Sequence, residues 1–171
     1  MKLETARLQM EPWREEDWRA FHAIATDTEV MRYISGGEAW SEKQTREFVA
    51  RQMQQFQELG YCLWKLATKD GGDGIDGFCG IQPLAQTQEI EIGWWLAQRH
   101  WGRGLATEAA EEVLRDAWER VGLRKIVAIA RAENKASLRV MEKLGMMYER
   151  EHVHRGVPVL MYGLRRDDEK S

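Results

Sequence analysis

The chain has 171 residues, of which 43% are hydrophobic, so it is long and apolar enough for one domain with one core and is not a disordered composition. Its formal net charge of −3 provides no global basic field that would favour nucleic-acid binding, although a local basic patch stays possible. Because no apolar run approaches the length of a membrane span and the N-terminus lacks the apolar core of a signal peptide, we expect a cytoplasmic protein that acts without nucleic-acid or membrane partners.

The first half of the chain contains both predicted strands and predicted helices. Hydrophobic spacing predicts, in chain order, a strand at about 6–11, a helix at about 14–25, a helix that begins after Ser41, and strands at about 61–68 and 75–83. Ser41 and Gln44 have the spacing of a capping box, and Gly60 is the expected end of the second helix. The segment 69–74, rich in glycine and aspartate, predicts a tight hairpin between the two strands.

The second half continues the mixed pattern. It predicts a strand at about 88–97, a helix at about 104–121, a strand at about 125–130, a helix at about 134–144, and strands at about 147–154 and 157–164. Arg155 and Gly156 separate the last two strands as a closing hairpin. Early strands, intervening helices and a terminal hairpin predict a single α+β domain with a mixed sheet over residues 1–171. The last strand would pair with a second copy if its edge were exposed, so both a monomer and a homodimer stay open.

The turn between the strand at 88–97 and the following helix is the most informative segment of the chain. Gly102 and Gly104 carry no Cβ atom and let the backbone approach a ligand closely. The first N–H groups of a helix lack internal partners and its dipole adds partial positive charge there, so the turn predicts an anion site. Arg99 and Arg103 are expected to reinforce that charge. A surface turn that only caps the helix is the alternative.

Two common phosphate motifs do not fit this turn. A nucleotide-binding P-loop requires a Lys followed by Ser or Thr, which the segment lacks. A dinucleotide fingerprint requires a third small residue, but Thr107 stands in its place and no βαβ repeat follows. The spacing Arg-x-x-Gly-x-Gly, formed by Arg99, Gly102 and Gly104, resembles instead the pyrophosphate loop of the GNAT superfamily of N-acetyltransferases, which bind acetyl-coenzyme A (acetyl-CoA).

Further blocks of sequence resemble the ribosomal-protein N-terminal acetyltransferase branch of that superfamily. They comprise residues 4–17, 27–34 and 134–146, so the resemblance covers nearly the whole chain in the family's order and spacing. It implies a GNAT-like, mostly antiparallel sheet flanked by helices with a splayed central strand pair, and it implies acetyl-CoA as co-substrate. Gly93 would suit a β-bulge at the splay.

The resemblance also implies which residues hold acetyl-CoA. The strand before the turn would pair its backbone with the pantetheine arm, and Asn134 would hydrogen-bond that arm. Core packing is the alternative role of that strand's side chains, and helix capping is the alternative role of Asn134. The expected cofactor-binding residues are Trp94, Trp95, Leu96, Arg99, Trp101, Gly102, Arg103, Gly104, Ala106, Thr107, Asn134 and Ser137.

Glu91 and Ser137 are the expected catalytic residues. The resemblance implies direct attack of the acceptor amine on the thioester, with Glu91 as general base through a water molecule. Glu91 alternates with Ile90 and Ile92, so its side chain leaves the face that these two bury. Met141 stands where many GNAT enzymes place a tyrosine that acts as the general acid. Ser137 is therefore expected to hydrogen-bond the departing sulfur. A helix serine bonded to a backbone carbonyl is the alternative.

The acceptor side is less specified by the sequence. Tyr33 and Trp40, between the first two long helices, and Glu89, on the same strand face as Glu91, are the expected substrate-binding residues. Glu89 is also the second candidate for the base. The alternative for both glutamates is an ordinary solvent-facing position on the strand, and the alternative for the two aromatic residues is a lid over the core. The acceptor is expected to be a primary amine, either a protein N-terminus or a small molecule such as a polyamine, amino acid or aminoglycoside. A non-catalytic acyl-CoA-binding module is the third hypothesis.

No metal site is predicted. His152 and His154 alternate on one strand without a third ligand, which is more typical of surface or packing residues. Cys62 and Cys79 have neither metal-ligand spacing nor a disulfide framework, so we expect reduced core thiols. Tyr148, just beyond the helix at 134–144, is expected to belong to the core rather than to donate a proton.

Overall fold

Strand pairing in the computed structural model builds one continuous sheet across the described residues, which are 1–34, 36–72 and 74–167. The strands are β1 (Leu3–Glu4), β2 (Leu8–Glu11), β3 (Leu63–Thr68), β4 (Gly77–Pro83), β5 (Ile90–Leu96), β6 (Lys125–Ala130), β7 (Met147–His154) and β8 (Val157–Arg165). The helices are α1 (Trp18–Ala25), α2 (Thr28–Met31), α3 (Glu42–Leu59), α4 (Leu105–Asp116) and α5 (Lys135–Lys143). They are accompanied by 3₁₀ turns at Glu15–Asp17 and Gln98–His100 and by a π-helical turn at Ala117–Val121.

The sheet has the strand order β1-β2-β3-β4-β5-β6-β8-β7 within the described residues. Each neighbouring pair is antiparallel except β5 and β6, which are parallel. In the described part of the chain these two strands pair at one position, Glu91 with Val127, and they part toward their carboxyl ends. The expected mostly antiparallel sheet with a splayed central pair is thereby confirmed.

Gly93 does not form the bulge that we expected at the splay. β4 and β5 pair in continuous register from Gly77 opposite Leu96 to Pro83 opposite Ile90, and Gly93 lies within that run. The splay is on the other edge of β5, the edge that faces β6. The gap between β5 and β6, called the slot below, therefore opens because parallel pairing stops, and not because β5 contains an extra residue.

Local capping determines where α3 and α5 begin. Ser41 and Gln44 form the expected capping box, in which each side chain accepts from the other's backbone N–H at 3.2 and 2.8 Å. Gly60 ends α3 in the left-handed conformation, with φ of 79°. Asn134 accepts a hydrogen bond of 3.2 Å from the backbone N–H of Ser137 and caps α5. These hydrogen bonds join residues that are close in sequence, which is why the sequence alone predicts where these helices begin.

Other elements differ from the expectations. The helix expected at 14–25 is a 3₁₀ turn followed by α1, and the helix expected at 104–121 is α4 followed by the π-helical turn. β1 and α2 were not expected, because elements of two and four residues are too short to show a period. The last strand, β8, lies between β6 and β7, so β7 and not β8 is the edge strand on that side of the sheet. In the expected hairpin at 69–74, Asp73 lies outside the described residues.

Aromatic residues form the core next to β5. The ring centroid of Trp95 lies 4.9 Å from those of both Trp40 and Phe78. Phe21 and Phe48 stack on the same indole with centroid distances of 6.0 and 6.3 Å. These contacts hold the carboxyl end of β5 against α1 and α3, since large aromatic rings contribute much of the packing energy of a core.

Both cysteines are buried and free, as expected, and burial raises the pKa of Cys62 to about 12. Tyr148 contradicts its expectation: it is 52% exposed on β7, where it packs edge-on against Tyr162. No group of three or more histidine, cysteine, aspartate or glutamate side chains in the described residues is arranged to hold a metal ion. Among the helices described, none combines the length and the apolar character needed to cross a bilayer.

Candidate active site

A cavity of about 1180 Å³ opens where β5 and β6 part. Its lining joins the end of β5, the turn after it and the start of α4 to the end of β6 and the start of α5. Residues from α2, α3, β4 and the turn between β7 and β8 also line the cavity. The volume exceeds the usual range for one drug-sized ligand, so it suits an extended ligand together with a second, smaller one.

The glycine turn before α4 forms one end of this cavity. Trp101, Gly102, Gly104, Ala106 and Thr107 line it. Gly102 and Gly104 have φ of 74° and 75°, a left-handed conformation that residues with a Cβ rarely adopt. A Cβ added at Gly102 would meet nothing within 4 Å, so the space beside the turn is open. Since the first N–H groups of α4 have no partners within the helix, this geometry suits an anion.

Arg99 and Arg103 lie outside the cavity lining, in contrast to the expectation that they reinforce the anion site. Arg99 pairs with Asp76, and Arg103 lies 3.1 Å from Nδ1 of His100. Burial by itself would raise the pKa of Asp76, but hydrogen bonds from the Thr68 backbone, His100 and Arg99 outweigh it and lower that pKa. Arg99 therefore fastens the turn to Asp76, the residue that precedes β4, and Arg103 contacts His100 within the turn, so backbone N–H groups are left as the donors to an anion.

The end of β5 forms one wall of the slot, and β6 forms the other. Trp94, Trp95 and Leu96 line the cavity on one side, with Ile129 and Ala130 on the other. Trp94 and Trp95 are partly exposed and pack against the main core cluster at the same time. The two roles that we weighed for these side chains, core packing and lining of the site, therefore coexist.

The start of α5 brings Asn134 and Ser137 to the same cavity. The cap on α5 uses the amide oxygen of Asn134 and not its NH₂ group. Met141, at the position where a tyrosine was considered, is 1% exposed and belongs to the core. Arg139 and Lys143 also line the cavity and add positive charge to the α5 side. They were missed because their spacing on α5 is that of any solvated helix face.

Glu91 lies at the point where β5 and β6 part, and it lines the cavity. Burial raises the pKa of its carboxyl to about 7, against the opposing effects of a hydrogen bond from Gln82 and the charge of Arg155. Nε2 of Gln82 donates to Glu91 at 3.3 Å, and Nε2 of the fully buried Gln52 donates to Gln82 at 3.4 Å. The Leu63 backbone N–H donates to Gln52 at 2.9 Å, which orients the whole series. The carboxyl is therefore partly buried at the cavity wall and held in position.

Glu89 is placed differently from Glu91. It is not among the cavity-lining residues, and its Oε1 lies 3.3 Å from Nζ of Lys125. Lys125 also pairs with Glu149 at 3.0 Å. Of the two glutamates considered as the base, Glu91 is the one that the fold brings to the same cavity as the glycine turn and Ser137.

Tyr33 and Trp40 line the cavity on the side formed by α2 and α3, and their role as substrate-binding residues stays a prediction. The sequence did not indicate Arg51, His154 and Arg155, which line it as well. Burial, followed by the charge of Arg155, lowers the pKa of His154. The only available signal was the Arg155-Gly156 hairpin turn, which predicts a bend and not the direction in which the arginine points.

Comparison with known proteins decides the family. The model of the acetyltransferase (GNAT) domain family matches residues 7–147, most of the chain. The chain belongs to the GNAT acetyltransferase family. This acetyltransferase is 34% identical over 164 residues to the uncharacterized protein YkkB of Bacillus subtilis, an alignment that covers 94% of each protein. The protein with this sequence and fold is an acetyl-CoA-dependent N-acetyltransferase.

Solved structures have the same fold as this acetyltransferase. A GNAT-family acetyltransferase from Bacillus anthracis has a TM-score of 0.80 and 27% identity, with 96% of this chain and 98% of that chain covered. The ribosomal L7/L12 alpha-N-protein acetyltransferase RimL, in complex with coenzyme A, has a TM-score of 0.80 and 19% identity, with coverage of 98% and 99%. At that identity the likeness to RimL shows the fold alone.

The residues of the cavity fit acetyl-CoA. The glycine turn and the start of α4 suit its diphosphate, and the parted edges of β5 and β6 suit an arm that contains amide groups. Gly102 has open space beside it, which a side chain at that position would enter. Arg139 and Lys143 add cationic side chains to the α5 side of the cavity.

Proposed function

We propose that this acetyltransferase transfers the acetyl group of acetyl-CoA to an α-amine by direct attack in a ternary complex, with Glu91 as the general base. The observation that carries the proposal is the position of Glu91, at the parting of β5 and β6 and in the same cavity as the glycine turn and Ser137. A carboxyl at this position is within the space where an amine and an acyl group would meet.

The residues that would hold acetyl-CoA follow from the lining of the cavity. We assign its diphosphate to the backbone of Gly102, Gly104 and Ala106, and its amide-containing arm to the β5 edge and Asn134. When bound, acetyl-CoA supplies an acetyl thioester, whose carbonyl carbon is the electrophile.

The protonation state of the acceptor explains why a base is needed. At pH 7 an amine with a pKa of ~10.4 is neutral in about one molecule in a few thousand, and an α-amine with a pKa of ~7.8 is neutral in roughly one in seven. A base works best when its pKa is near the operating pH, and the pKa of Glu91 is raised by burial to about 7. Glu91 is thus matched to an α-amine.

The proposed reaction conserves atoms and charge. The amine nitrogen forms a bond to the carbonyl carbon, the carbon–sulfur bond breaks, and the proton of the amine passes through a water molecule to Glu91. The departing thiolate accepts a hydrogen bond from Oγ of Ser137, which lines the cavity beside Asn134. Neither cysteine is used, since both are buried and burial raises the pKa of each.

The α-amine of a protein N-terminus is our first choice of acceptor. The name of RimL, which shares the fold, gives a protein α-amine as its substrate. A small molecule with an α-amine is the second candidate, because Tyr33, Trp40 and α3 enclose the acceptor side of the cavity. A non-catalytic acyl-CoA-binding module is disfavoured by the hydrogen-bonded series that positions Glu91, which binding alone would not need.

The test measures free thiol released from acetyl-CoA with a panel of amines. We expect turnover with α-amines, and a loss of about 10²–10³-fold in kcat for Glu91→Gln with unchanged affinity for coenzyme A. Glu149→Gln, which alters an ion pair of Lys125 outside the cavity, is the matched control and retains kcat. Binding of acetyl-CoA without thiol release for every amine would favour the binding module, and a comparable loss in Glu89→Gln but not in Glu91→Gln would transfer the role to Glu89.

A further inference from the structure

Two arginines from distant parts of the chain line the acceptor side of the cavity together with Glu91. Arg51 lies on α3, with its guanidinium carbon 5.9 Å from the ring centroid of Phe48. Arg155 lies on the turn between β7 and β8, and both arginines are among the cavity-lining residues. In the residues that the structure describes, no ion pair within 4.0 Å involves either guanidinium. Glu47 and Glu91 line the same cavity, but neither carboxylate lies within 4.0 Å of these two guanidinium groups.

The positive charges of the two guanidinium groups repel each other. Burial lowers the pKa of Arg51, and the positive charge of Arg155 lowers it further. Glu47 opposes this effect from one helical turn away, but its own carboxylate pairs with Lys43 at 3.8 Å. Like charges brought together in a partly enclosed space raise the energy of the free protein, and an anion between them removes that repulsion.

The backbone at Arg155 is a second, independent observation. Arg155 and Gly156 form the two-residue connection between paired residues His154 and Val157, and their φ angles are 51° and 80°. A turn with positive φ at both positions favours Asn, Asp or Gly at the first one, and an arginine there is unfavourable. Strain of this kind persists where the side chain serves a function, because a better turn residue is readily available.

We infer that Arg51 and Arg155 bind an anionic group, a carboxylate or a phosphate, carried by the acceptor close to its reacting amine. This inference rests on the proposed function, since it places the amine beside Glu91 in the same cavity. In a small-molecule acceptor the anion can be the α-carboxylate, whereas in a protein N-terminus, whose α-carboxyl is an amide, it is a side-chain group. The planar guanidinium suits either anion, because two parallel N–H donors match two oxygens. Polycationic acceptors such as polyamines and aminoglycosides would be repelled by the same pair.

The first experiment compares matched acceptors. It measures kcat/KM by thiol release for alanine against alaninamide, for O-phosphoethanolamine against ethanolamine, and for putrescine. We expect the anionic member to be favoured at least about tenfold in one pair, which then identifies the carboxylate or the phosphate. Arg51→Gln and Arg155→Gln reduce that ratio toward one. Because the ratio is compared between variants, differences in the intrinsic reactivity of the amines cancel.

The control is Arg46→Gln on the same helix as Arg51. Its guanidinium pairs with Glu42 and lies 4.0 Å from the ring centroid of Trp18, outside the cavity. We expect Arg46→Gln to retain the ratio of kcat/KM between anionic and neutral acceptors that the unmodified enzyme has. In addition, titration calorimetry with the favoured acceptor and coenzyme A measures binding without turnover, and Arg155→Gln weakens it about tenfold.

Arg155→Asn separates function from folding. Asparagine is favoured at this turn position, so the variant raises Tm by about 1–3 °C while losing the preference for anionic acceptors. A ratio of anionic to neutral acceptor use that is unchanged in the arginine variants would overturn this inference and leave the proposed function intact. Weakened coenzyme A binding in those variants would also overturn it. Absence of acetylation of every amine would contradict the proposed function itself, and this inference with it.

Discussion

Nε2 of Gln82 donates a hydrogen bond of 3.3 Å to Oε2 of Glu91, on the strand next to it in the sheet. The bond favours the charged form of the carboxyl and opposes the effect of burial on its pKa. Gln52 fixes the other end of the Gln82 amide, so the donor faces Glu91 in a defined orientation. The pKa of Glu91 is thus the result of two opposed contributions, and each can be changed separately.

Removal of the Gln82 donor will shift the pH profile. For the unmodified enzyme we expect kcat/KM to rise with pH through a midpoint near pH 7, as Glu91 loses its proton. Gln82→Leu removes a bond that stabilises the carboxylate, so the midpoint moves upward by about half a unit. Gln54→Leu on the exposed face of α3 is the control and retains the midpoint. A midpoint that does not move would contradict the assignment of this limb to Glu91.

Glu91→Gln will stabilise the folded protein at high pH. The pKa of Glu91 is about 7 in the folded state and near its ordinary value of 4.5 in the unfolded state, so the folded state binds more protons between these values. The unmodified protein therefore loses stability as the pH rises from 4.5 to 7. Glutamine cannot ionise, so at pH 8 the variant gains about 2–3 kcal/mol relative to the unmodified protein, and below pH 4.5 the two converge.

The measurement for this prediction is urea unfolding at pH 4.5, 6 and 8. Exposed Glu111→Gln on α4 serves as the control for the loss of one carboxylate and shows no comparable gain at pH 8. A difference between Glu91→Gln and the unmodified protein that is constant across the three pH values would contradict the shifted titration.

Gly102→Ala will weaken coenzyme A binding by about tenfold. It places a Cβ in the open space beside the turn and strains a backbone with φ of 74°. Gly122→Ala is a closely matched control, because Gly122 has φ of 81° with nothing within 4 Å of an added Cβ and lies outside the cavity. Both variants lose about 1 kcal/mol of stability, as judged by chemical unfolding. Equal affinity of the two for coenzyme A in calorimetry would remove the turn from the binding site.

Asn134→Ser will separate helix capping from cofactor binding. Serine caps helices about as well as asparagine, so stability changes little, but the NH₂ group of the amide is lost and coenzyme A affinity falls several-fold. Asn134→Ala loses the cap as well and about 1 kcal/mol of stability. Ser41→Ala, which removes the cap of α3, is the control: it loses a similar amount of stability and retains coenzyme A affinity. Unaltered affinity in Asn134→Ser would leave capping as the role of this residue.

Features that depend on neighbours in sequence could be predicted from the sequence. The capping box at Ser41, the end of α3 at Gly60 and the cap at Asn134 are each formed by residues within a few positions of one another. The glycine turn belongs to the same class, since Gly102 and Gly104 allow its φ angles by their own chemistry. Strand alternation indicated that Glu91 leaves the face of its apolar neighbours. The resemblance carried by these motifs also predicted the splayed sheet.

The tertiary structure decided which charged groups meet. Arg99 was expected at the anion site, but Asp76, 23 positions earlier, pairs with it, and that partner is visible only once β4 and β5 lie side by side. Arg51 and Arg155 come from α3 and from a hairpin turn, and no local pattern brings them to one cavity. The environment of Glu91 is likewise the sum of burial and of a donor from a neighbouring strand. Local sequence governs backbone conformation, whereas a pKa or a binding site depends on groups that only the folded chain brings within range of each other.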